Sequence, residues 1–352
     1  MNIKSIYIIL ALAISNLVNA EVCELPDQFK GKIDTFIIKP EVSCGANIFI
    51  NTMPLSLGAK AKLAKKDQNN LALLGRVAYE ELSDMFEKSK IDIKIEEIKI
   101  KNRDKKDINL RHYTGTDTKK IIMYVHGGGW SRGSLKTHDQ LCREISKRTG
   151  YSVFAVDYRL APENPYPAGL NDVEDAFEWV LENKGKNVKV LVSGDSAGGN
   201  LSTALAIKRI EAQQKAPDGL LLLYPALDLQ IPEKTEDRNA DGYFLTRSSV
   251  NNYIKGYLGK DFKEQAKNQK VSPILASSET LKALPPTLII AAEFDPLTAY
   301  SKEFTEKAKA AGAKNINFEL AEKTIHIFAQ YPDLFKEAEQ ALDLLARTAK
   351  DF

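Results

Sequence analysis

Charge of one sign, long hydrophobic runs, cysteine and histidine are all scarce in this sequence, and each scarcity excludes something. The chain of 352 residues carries 49 Lys and Arg residues against 47 Asp and Glu residues, a formal net charge of +2. Such a balance creates no field strong enough to attract nucleic acid, so we expect a small-molecule partner. The hydrophobic fraction of 43% and the charged fraction of 27% are typical of a soluble globular protein.

Near the N-terminus, the apolar run from Ile6 to Ile14 is well short of the roughly 20 residues that a membrane-spanning helix needs. Lys4 precedes the run, and the small residues of Val18 to Ala20 follow it, which is the pattern of a secretory signal peptide. We therefore expect a signal peptide over residues 1–20, cleavage before Glu21, and a secreted or periplasmic protein with no stable membrane span. An uncleaved membrane anchor is the alternative interpretation.

Cysteine occurs only three times, at Cys23, Cys44 and Cys142. An oxidising compartment favours pairing two of them. Cys23 and Cys44 are the natural pair, because both lie in a turn-rich segment that a cross-link would hold in place. Cys142 lies in a predicted helix, and we expect it to be a small buried residue.

The stretch from Val190 to Leu201 has the pattern of a nucleophile elbow. Val190 to Val192 predict a strand, and the residues after Gly198 predict a helix. Between them, Gly194 to Gly198 read Gly-Asp-Ser-Ala-Gly, the turn that holds a nucleophilic serine in α/β-hydrolases. Ser196 is therefore the candidate nucleophile, and a glycine-rich chain reversal is the alternative interpretation.

Histidine occurs four times, at His112, His126, His138 and His326. A serine nucleophile needs a base, and with this elbow the base follows the serine along the chain. Only His326 lies after Ser196, in a predicted loop that follows the last strand-like run. His326 is therefore the candidate general base.

The acid that orients this histidine is expected on the loop after the penultimate strand. Asp295 follows the apolar run Leu288 to Ala291, and Pro296 stops the strand there. We favour Asp295, and Glu293 is the competing candidate. A helix cap is the structural alternative for Asp295, because the residues after Pro296 predict a helix.

The segment from His126 to Trp130, with three glycines in series, directly follows the predicted strand Ile121 to Val125. Glycines let backbone N–H groups approach a substrate, and those groups stabilise the oxyanion of acyl transfer. The amide of Ala197 is expected to complete the oxyanion hole. A phosphate-binding loop is the alternative, but the lysine that such a loop requires is absent near Gly133.

Short apolar runs alternate with helical patterns along most of the chain, which predicts βαβ units and a mostly parallel sheet. We expect cap helices within the N-terminal segment 21–90, a catalytic domain over 91–352, and a partly helical insertion at about 227–284. The predicted strands are Ile91 to Ile100, Ile121 to Val125, Val153 to Val156, Val188 to Val192, Leu220 to Leu223, Leu288 to Ala291 and Ile316 to Leu320.

Taken together, these motifs resemble the hormone-sensitive-lipase family of α/β-hydrolase carboxylesterases. The resemblance runs from about Ile91 to the C-terminus. It implies an α/β-hydrolase fold, with a mostly parallel eight-stranded sheet, helices on both faces, a helical cap, and no metal or organic cofactor. The matching segments are His126 to Trp130, Val156 to Glu163, Gly194 to Gly199, Tyr224–Pro225, Ser272–Pro273 and Glu293 to Leu297.

The resemblance also implies a role for each matching residue. Ser196 corresponds to the nucleophile, His326 to the general base and Asp295 to the residue that orients this base. The expected oxyanion donors are the amides of Gly128, Gly129 and Ala197. The expected supports are His126 and Gly127 for the oxyanion loop, and Asp157, Arg159 and Asp195 elsewhere.

Two positions depart from the family pattern. Ile327 stands where the family has glycine after the catalytic histidine, and a β-branched residue adopts a positive φ only with strain. We therefore expect a differently set loop and a less well aimed His326. Thr298 and Ala299 replace an Arg-Asp pair, which removes polar support near the acid.

The leading hypothesis is a serine carboxylesterase for short- to medium-chain esters, with activity that falls on acidification as His326 protonates. One alternative is an amidase of the arylformamidase type that uses the same triad. Another is a binding protein, because plant hormone receptors resemble this family without the catalytic histidine. The partner is a small-molecule ester in the leading hypothesis, and the sequence carries no signal for the oligomeric state.

Overall fold

A single eight-stranded sheet forms the centre of the protein. The computed structural model describes residues 23–30, 32–33, 36–63, 71–86, 91–184, 188–231, 239–241 and 243–352. The strand order is β1-β2-β4-β3-β5-β6-β7-β8, with antiparallel pairing of β1 with β2 and of β2 with β4 and parallel pairing elsewhere. The strands are β1 Ile95–Lys101, β2 Asp107–Tyr113, β3 Asp117–Val125, β4 Tyr151–Asp157, β5 Lys189–Asp195, β6 Gly219–Leu223, β7 Thr287–Phe294 and β8 Ile316–Ile325. The predicted mostly parallel eight-stranded sheet is confirmed.

Helices cover both faces of this sheet. Along β3, Ile121 and Met123 face one hydrophobic core, whereas Ile122 and Tyr124 face the other, as the two-residue period of a strand requires. Helices α4, α5 and α9 pack in the first core, and α3 and α10 in the second. The helices are α1 Cys44–Leu63, α2 Leu71–Phe86, α3 Asp139–Thr149, α4 Ala168–Lys184, α5 Ala197–Glu211, α6 Arg247–Leu258, α7 Phe262–Gln265, α8 Ser278–Lys282, α9 Thr298–Ala311 and α10 Lys336–Asp351.

Several strand predictions differ from the structure. The first strand begins at Ile95 rather than Ile91, and β8 extends to Ile325, through residues that the sequence pattern predicted as a loop. Strand β2 was not predicted at all. It follows a tight turn in which the side chain of Asn102 accepts hydrogen bonds from the amides of Asp104 (3.0 Å) and Lys106 (2.9 Å).

Within the N-terminal segment, a disulfide joins Cys23 to Cys44, the pair that the sequence favoured. Cys142 is buried and free in α3. The expected signal peptide over 1–20 lies outside the described residues. In the described part of the chain, no helix has both the length and the apolar character needed to cross a membrane.

Two separate stretches of chain approach the carboxyl edge of the sheet. Helix α2 contacts the loop after β3, since Arg76 Nε donates to the carbonyl oxygen of Ser131 (2.9 Å). The insertion between β6 and β7 contributes α6, whose Tyr253 ring lies against Gly129. Residues 232–238 and 242 of this insertion lie outside the described part. The loops at this edge of the sheet are therefore covered by α2 and α6.

Candidate active site

Ser196 lies at the sharp turn between β5 and α5. Its backbone has φ 52° and ψ −118°, a strained conformation for a residue with a side chain. The turn needs glycine on both sides. A Cβ on Gly194 would lie 2.6 Å from the backbone of Gly198, and a Cβ on Gly198 would lie 1.9 Å from the carbonyl oxygen of Val125. The local sequence therefore places the hydroxyl of Ser196 at the apex of the turn.

His326 and Asp295 complete a continuous hydrogen-bonded chain with Ser196. His326 Nε2 lies 2.9 Å from Ser196 Oγ, and His326 Nδ1 lies 2.6 Å from Asp295 Oδ2. The other carboxylate oxygen of Asp295 accepts a hydrogen bond from the amide of Leu297 (2.9 Å). The three side chains follow the ends of β5, β7 and β8. Strands β7 and β8 are neighbours in the sheet, and β6 lies between β5 and β7. This arrangement fixes the orientation of the imidazole.

Glu293, the competing candidate for the acid, has a different partner. Its carboxylate accepts a hydrogen bond from the amide of Lys323 (2.9 Å) in β8. Lys323 has φ 58°, and the pairing of β7 with β8 is irregular between Ala292 and Phe294. Glu293 therefore holds an irregular part of the sheet edge, and Asp295 is the carboxylate beside His326.

The expectation that Ile327 misaims His326 is wrong. Ile327 takes the positive φ of the glycine that it replaces, with φ 81° and ψ −6°, and its side chain is buried. A strained backbone conformation costs about 1–3 kcal/mol, and burial of the apolar Ile327 side chain offsets this cost. The imidazole of His326 also packs edge-on against the ring of Tyr224, with centroids 4.8 Å apart.

The acid loop also keeps polar contacts despite the departure at Thr298 and Ala299. The hydroxyl of Thr298 donates to the carbonyl oxygen of Ala292. Arg247, at the start of α6, donates from Nη2 to the carbonyl oxygen of Pro296 (2.7 Å). The cap therefore contacts the backbone beside Asp295 directly.

The oxyanion loop after β3 is held by Asp195, the residue before Ser196. The amide of Gly127 donates to Asp195 Oδ1 (2.8 Å), and so does the hydroxyl of Tyr124 (2.7 Å). The next two residues, Gly128 and Gly129, have φ values of 117° and 59°. In the described part of the chain, the amides of Gly128, Gly129 and Ala197 have no hydrogen-bond acceptor. These three N–H groups are therefore available to a bound molecule.

His126 packs against the oxyanion loop and is uncharged at neutral pH. Its ring stacks on Tyr158 with centroids 4.3 Å apart, and its Nδ1 lies 2.8 Å from the carbonyl oxygen of Gly127. Burial, and secondarily the nearby His138, lowers the pKa of His126 to about 3. A neutral imidazole is therefore part of the structural support at neutral pH.

His138 has a structural role that no sequence pattern predicted. This buried residue precedes α3, and its Nε2 lies 3.3 Å from Asp195 Oδ1. Burial alone would raise the pKa of Asp195, but His138 and the hydrogen bonds from Tyr124 and Gly127 outweigh burial and lower it. Asp195 is therefore a buried anion that ties the elbow, the oxyanion loop and the start of α3 together. No local pattern around His138 indicates this contact.

Aromatic rings from the cap cover the oxyanion loop. Trp130 stacks on Tyr257 of α6, with centroids 4.7 Å apart and planes 7° from parallel. The ring of Tyr253 lies so close to Gly129 that a Cβ there would be 2.7 Å from it. The site therefore combines a serine hydroxyl, an oriented imidazole and free backbone amides, and aromatic side chains cover it. The first three are the components that nucleophilic acyl transfer requires.

The sequence is similar to a known protein family and to several esterases. The sequence profile of a family described as alpha/beta hydrolase fold matches residues 122–330, more than half of the chain. An esterase of Acinetobacter venetianus is 35% identical over 231 residues, which are 65% of this chain and 74% of that protein. Carboxylic ester hydrolase LipN of Mycobacterium tuberculosis is 36% identical over 217 residues, 58% of this chain and 57% of LipN.

Solved structures resemble most of the chain. An esterase of the hyperthermophilic archaeon Pyrobaculum calidifontis superimposes with a TM-score of 0.74 at 30% sequence identity. The superposition covers 85% of this chain and 97% of that esterase. The similarity therefore extends well beyond the motifs around the site.

Proposed function

Because the chain belongs to the α/β-hydrolase fold family, we propose that it is a serine carboxylesterase that hydrolyses short- to medium-chain esters through an acyl-enzyme on Ser196. The observation that carries this proposal is the hydrogen-bonded chain from Ser196 through His326 to Asp295. The names of LipN, a carboxylic ester hydrolase, and of the A. venetianus esterase support the reaction. The range of chain lengths rests on the family resemblance alone.

Acylation begins at the hydroxyl of Ser196, which donates to His326 Nε2 across 2.9 Å. As the oxygen attacks the ester carbonyl, the imidazole takes the proton, and Asp295 stabilises the positive charge that develops on the ring. The imidazolium then protonates the leaving oxygen, so the alcohol departs and the acyl group stays on Ser196. Water, deprotonated by His326, attacks the acyl-enzyme, and the imidazolium then returns the proton to the oxygen of Ser196 as the acid is released.

Negative charge develops on the carbonyl oxygen in both halves of this reaction. The amides of Gly128, Gly129 and Ala197 are the donors that we assign to this oxygen. Loss of a single donor of this kind typically lowers kcat by about 10²–10³-fold. Because Asp195 fixes the neighbouring Gly127, the loop is held in place before the substrate binds.

The proposal is tested by hydrolysis of a series of 4-nitrophenyl esters of increasing acyl length. We expect turnover by the wild-type protein and its loss in Ser196→Ala, because the nucleophile is then absent. The matched control is Ser202→Ala, which removes a buried hydroxyl on the same helix that donates to the carbonyl oxygen of Gly198 (2.7 Å).

Ser202→Ala should retain most of the wild-type rate, since that hydroxyl lies one helical turn from the elbow and takes no part in the reaction. Equal activity of wild type and Ser196→Ala would overturn the proposal. Absence of turnover in a folded wild-type protein would overturn it as well.

We also propose that the protein functions outside the cytoplasm. The disulfide between Cys23 and Cys44 supports an oxidising compartment, and the pattern of residues 1–20 supports export. The test is cell fractionation followed by N-terminal sequencing of the recovered protein. We expect the mature chain to begin at Glu21 in the secreted or periplasmic fraction, and an uncleaved cytoplasmic chain would contradict the proposal.

A further inference from the structure

Arg132 lies immediately after the oxyanion loop. Its amide donates to the carbonyl oxygen of Gly128 (3.0 Å), and its side chain runs alongside that residue, since a Cβ on Gly128 would lie 3.0 Å from Arg132 Cγ. The guanidinium lies over the ring of Tyr253, with its carbon 4.7 Å from the ring centroid. The same ring covers Gly129. Arg132 therefore places a positive charge beside the amides that we assign to the oxyanion.

Two cap helices hold this guanidinium between them. On one side is Tyr253 of α6, and on the other is Gly75 of α2, where a Cβ would lie 3.7 Å from the guanidinium carbon of Arg132. A side chain that is half-buried between two elements has lost much of its freedom. A molecule that binds it therefore does not bear the full entropic cost of ordering a long side chain.

The charge of Arg132 has no counter-ion in the described part of the chain. Its neighbour Arg76 also reaches this loop, but Glu163 neutralises it through a salt bridge of 2.6 Å. Among the partly or fully buried arginines that the structure describes, Arg132 alone has a guanidinium without a hydrogen bond. The others, which donate to acids or carbonyl oxygens, are Arg76, Arg111, Arg143, Arg148, Arg159, Arg209 and Arg247.

The contact with Tyr253 leaves the hydrogen-bonding capacity of Arg132 unused. The guanidinium carbon lies over the Tyr253 ring, and the five N–H donors of a guanidinium point outward in the plane of the group. This planar edge matches the two oxygens of a carboxylate, and the resulting paired hydrogen bonds are among the strongest in proteins. The geometry suits an anionic group on the substrate.

We propose that Arg132 is a specificity-determining residue that binds a carboxylate carried by the ester substrate. This inference rests on the proposed esterase function and names the class of ester that the site prefers. The carboxylate belongs either to the acyl part, as in the monoester of a dicarboxylic acid, or to the alcohol part, as in the acyl ester of a hydroxy acid. Both place a negative charge a few bonds from the ester carbonyl.

The test compares kcat/KM for anionic and neutral esters of matched size. Monoethyl glutarate against ethyl pentanoate probes a charge on the acyl side. The acetyl ester of a hydroxypropanoate against propyl acetate probes the alcohol side. In the wild-type protein we expect a higher kcat/KM for the anionic member of one pair. Arg132→Met should lower that anionic-to-neutral ratio by about ten- to a hundredfold, the usual effect of losing a charged hydrogen bond.

Two further variants separate recognition of a carboxylate from a general effect of charge. Arg132→Lys keeps the charge without the planar edge, so its ratio should lie between those of wild type and Arg132→Met. The control is Arg347→Met, which removes the same charge from an exposed position of α10 and should leave the ratio unchanged. Free glutarate should inhibit hydrolysis of ethyl pentanoate by the wild type more strongly than by Arg132→Met, if the acyl pair is the preferred one.

An unchanged ratio in Arg132→Met and Arg132→Lys, with ethyl pentanoate or propyl acetate still hydrolysed, would overturn this inference and leave the esterase proposal intact. If the folded wild-type protein hydrolyses neither neutral nor anionic esters, the esterase proposal itself fails. Because each ratio is measured within one variant, a partial loss of folded protein cancels from it.

Discussion

Two buried aspartates lie near Ser196, and each faces a buried histidine. Asp295 lies 2.6 Å from His326 Nδ1, whereas Asp195 lies 3.3 Å from His138 Nε2. The remaining ring nitrogen meets a hydroxyl in both cases. His326 Nε2 lies 2.9 Å from Ser196 Oγ, and His138 Nδ1 lies 2.9 Å from the hydroxyl of Thr137. The same three kinds of side chain therefore occur twice within one site.

The hydroxyl makes the difference between the two sets. Thr137 already accepts a hydrogen bond from the amide of Ser134 (2.9 Å) and donates to the carbonyl oxygen of the same residue (3.1 Å), in a buried turn. Ser196 has a strained backbone at the apex of the elbow, and its hydroxyl bonds to His326. An aspartate and a histidine do not by themselves make a catalytic site, because the hydroxyl must also be free to attack.

Asp295→Asn should have the largest effect that follows from this comparison. An amide in place of the carboxylate favours the wrong tautomer of His326 and no longer stabilises its charge, so kcat should fall by about 10⁴-fold. Stability should change little, since the amide oxygen can still accept from Leu297. Ester hydrolysis and thermal unfolding measure the two effects. Retention of more than about a tenth of the wild-type kcat would contradict the role assigned to Asp295.

Asp195→Asn should have the opposite pattern of effects, with a large loss of stability and a smaller loss of activity. Asp195 is a buried anion with Tyr124, Gly127 and His138 around it, and the amide group replaces one of its acceptor oxygens with a donor. Breaking a buried charged network of this kind typically costs about 3 kcal/mol of unfolding free energy. Chemical denaturation measures this loss. Activity of the protein that remains folded should fall much less than in Asp295→Asn, and an unfolding free energy equal to that of the wild type would contradict the structural role.

The two sets of residues also differ in how well they could be predicted from the sequence. The glycines around Ser196 and the order of serine, acid and histidine are local or sequential patterns, so they led to the hydrogen-bonded chain that the structure contains. The contact between Asp195 and His138 joins residues 57 positions apart, and nothing in the local sequence encodes it. The contacts of Arg132 likewise come from α2 and α6, which are distant from it in the sequence. Tertiary contacts of this kind have no period in the sequence.

The conformation of Ile327 also differs from the local expectation because of tertiary contacts. A positive φ at a β-branched residue is unfavourable locally, which led to the expectation of a different loop. Burial of the side chain is a tertiary effect, and it offsets the local cost. Departures from a family motif therefore need the surrounding core before they can be interpreted.

His126, next to the Asp195 set, should make the protein sensitive to acid. The pKa of His126 is about 3 when folded and about 6.5 when unfolded, so between these values only the unfolded chain binds the proton. The contribution of neutral His126 to the unfolding free energy is therefore fully present above pH 6.5 and is lost as the pH falls toward 3. From pH 6.5 to pH 4.5 the loss should be about 2 kcal/mol. In His126→Gln, which cannot titrate, the unfolding free energy should depend less on pH by this amount. Parallel pH profiles of the two proteins would contradict a neutral buried imidazole.

Ile327, next to the Asp295 set, should reveal its backbone strain through a pair of substitutions. Ile327→Ala and Ile327→Gly both remove the buried side chain, so each should lower the unfolding free energy by roughly 2–5 kcal/mol. At the observed φ of 81°, however, glycine is unstrained and alanine is not, so Ile327→Gly should be more stable than Ile327→Ala by about 1 kcal/mol. In ordinary backbone the order is reversed, because glycine loses more entropy on folding. Denaturation curves that rank alanine above glycine would therefore mean that the loop carrying His326 has a relaxed backbone, whereas the expected order would mean that packing around Ile327 holds this loop in its strained conformation.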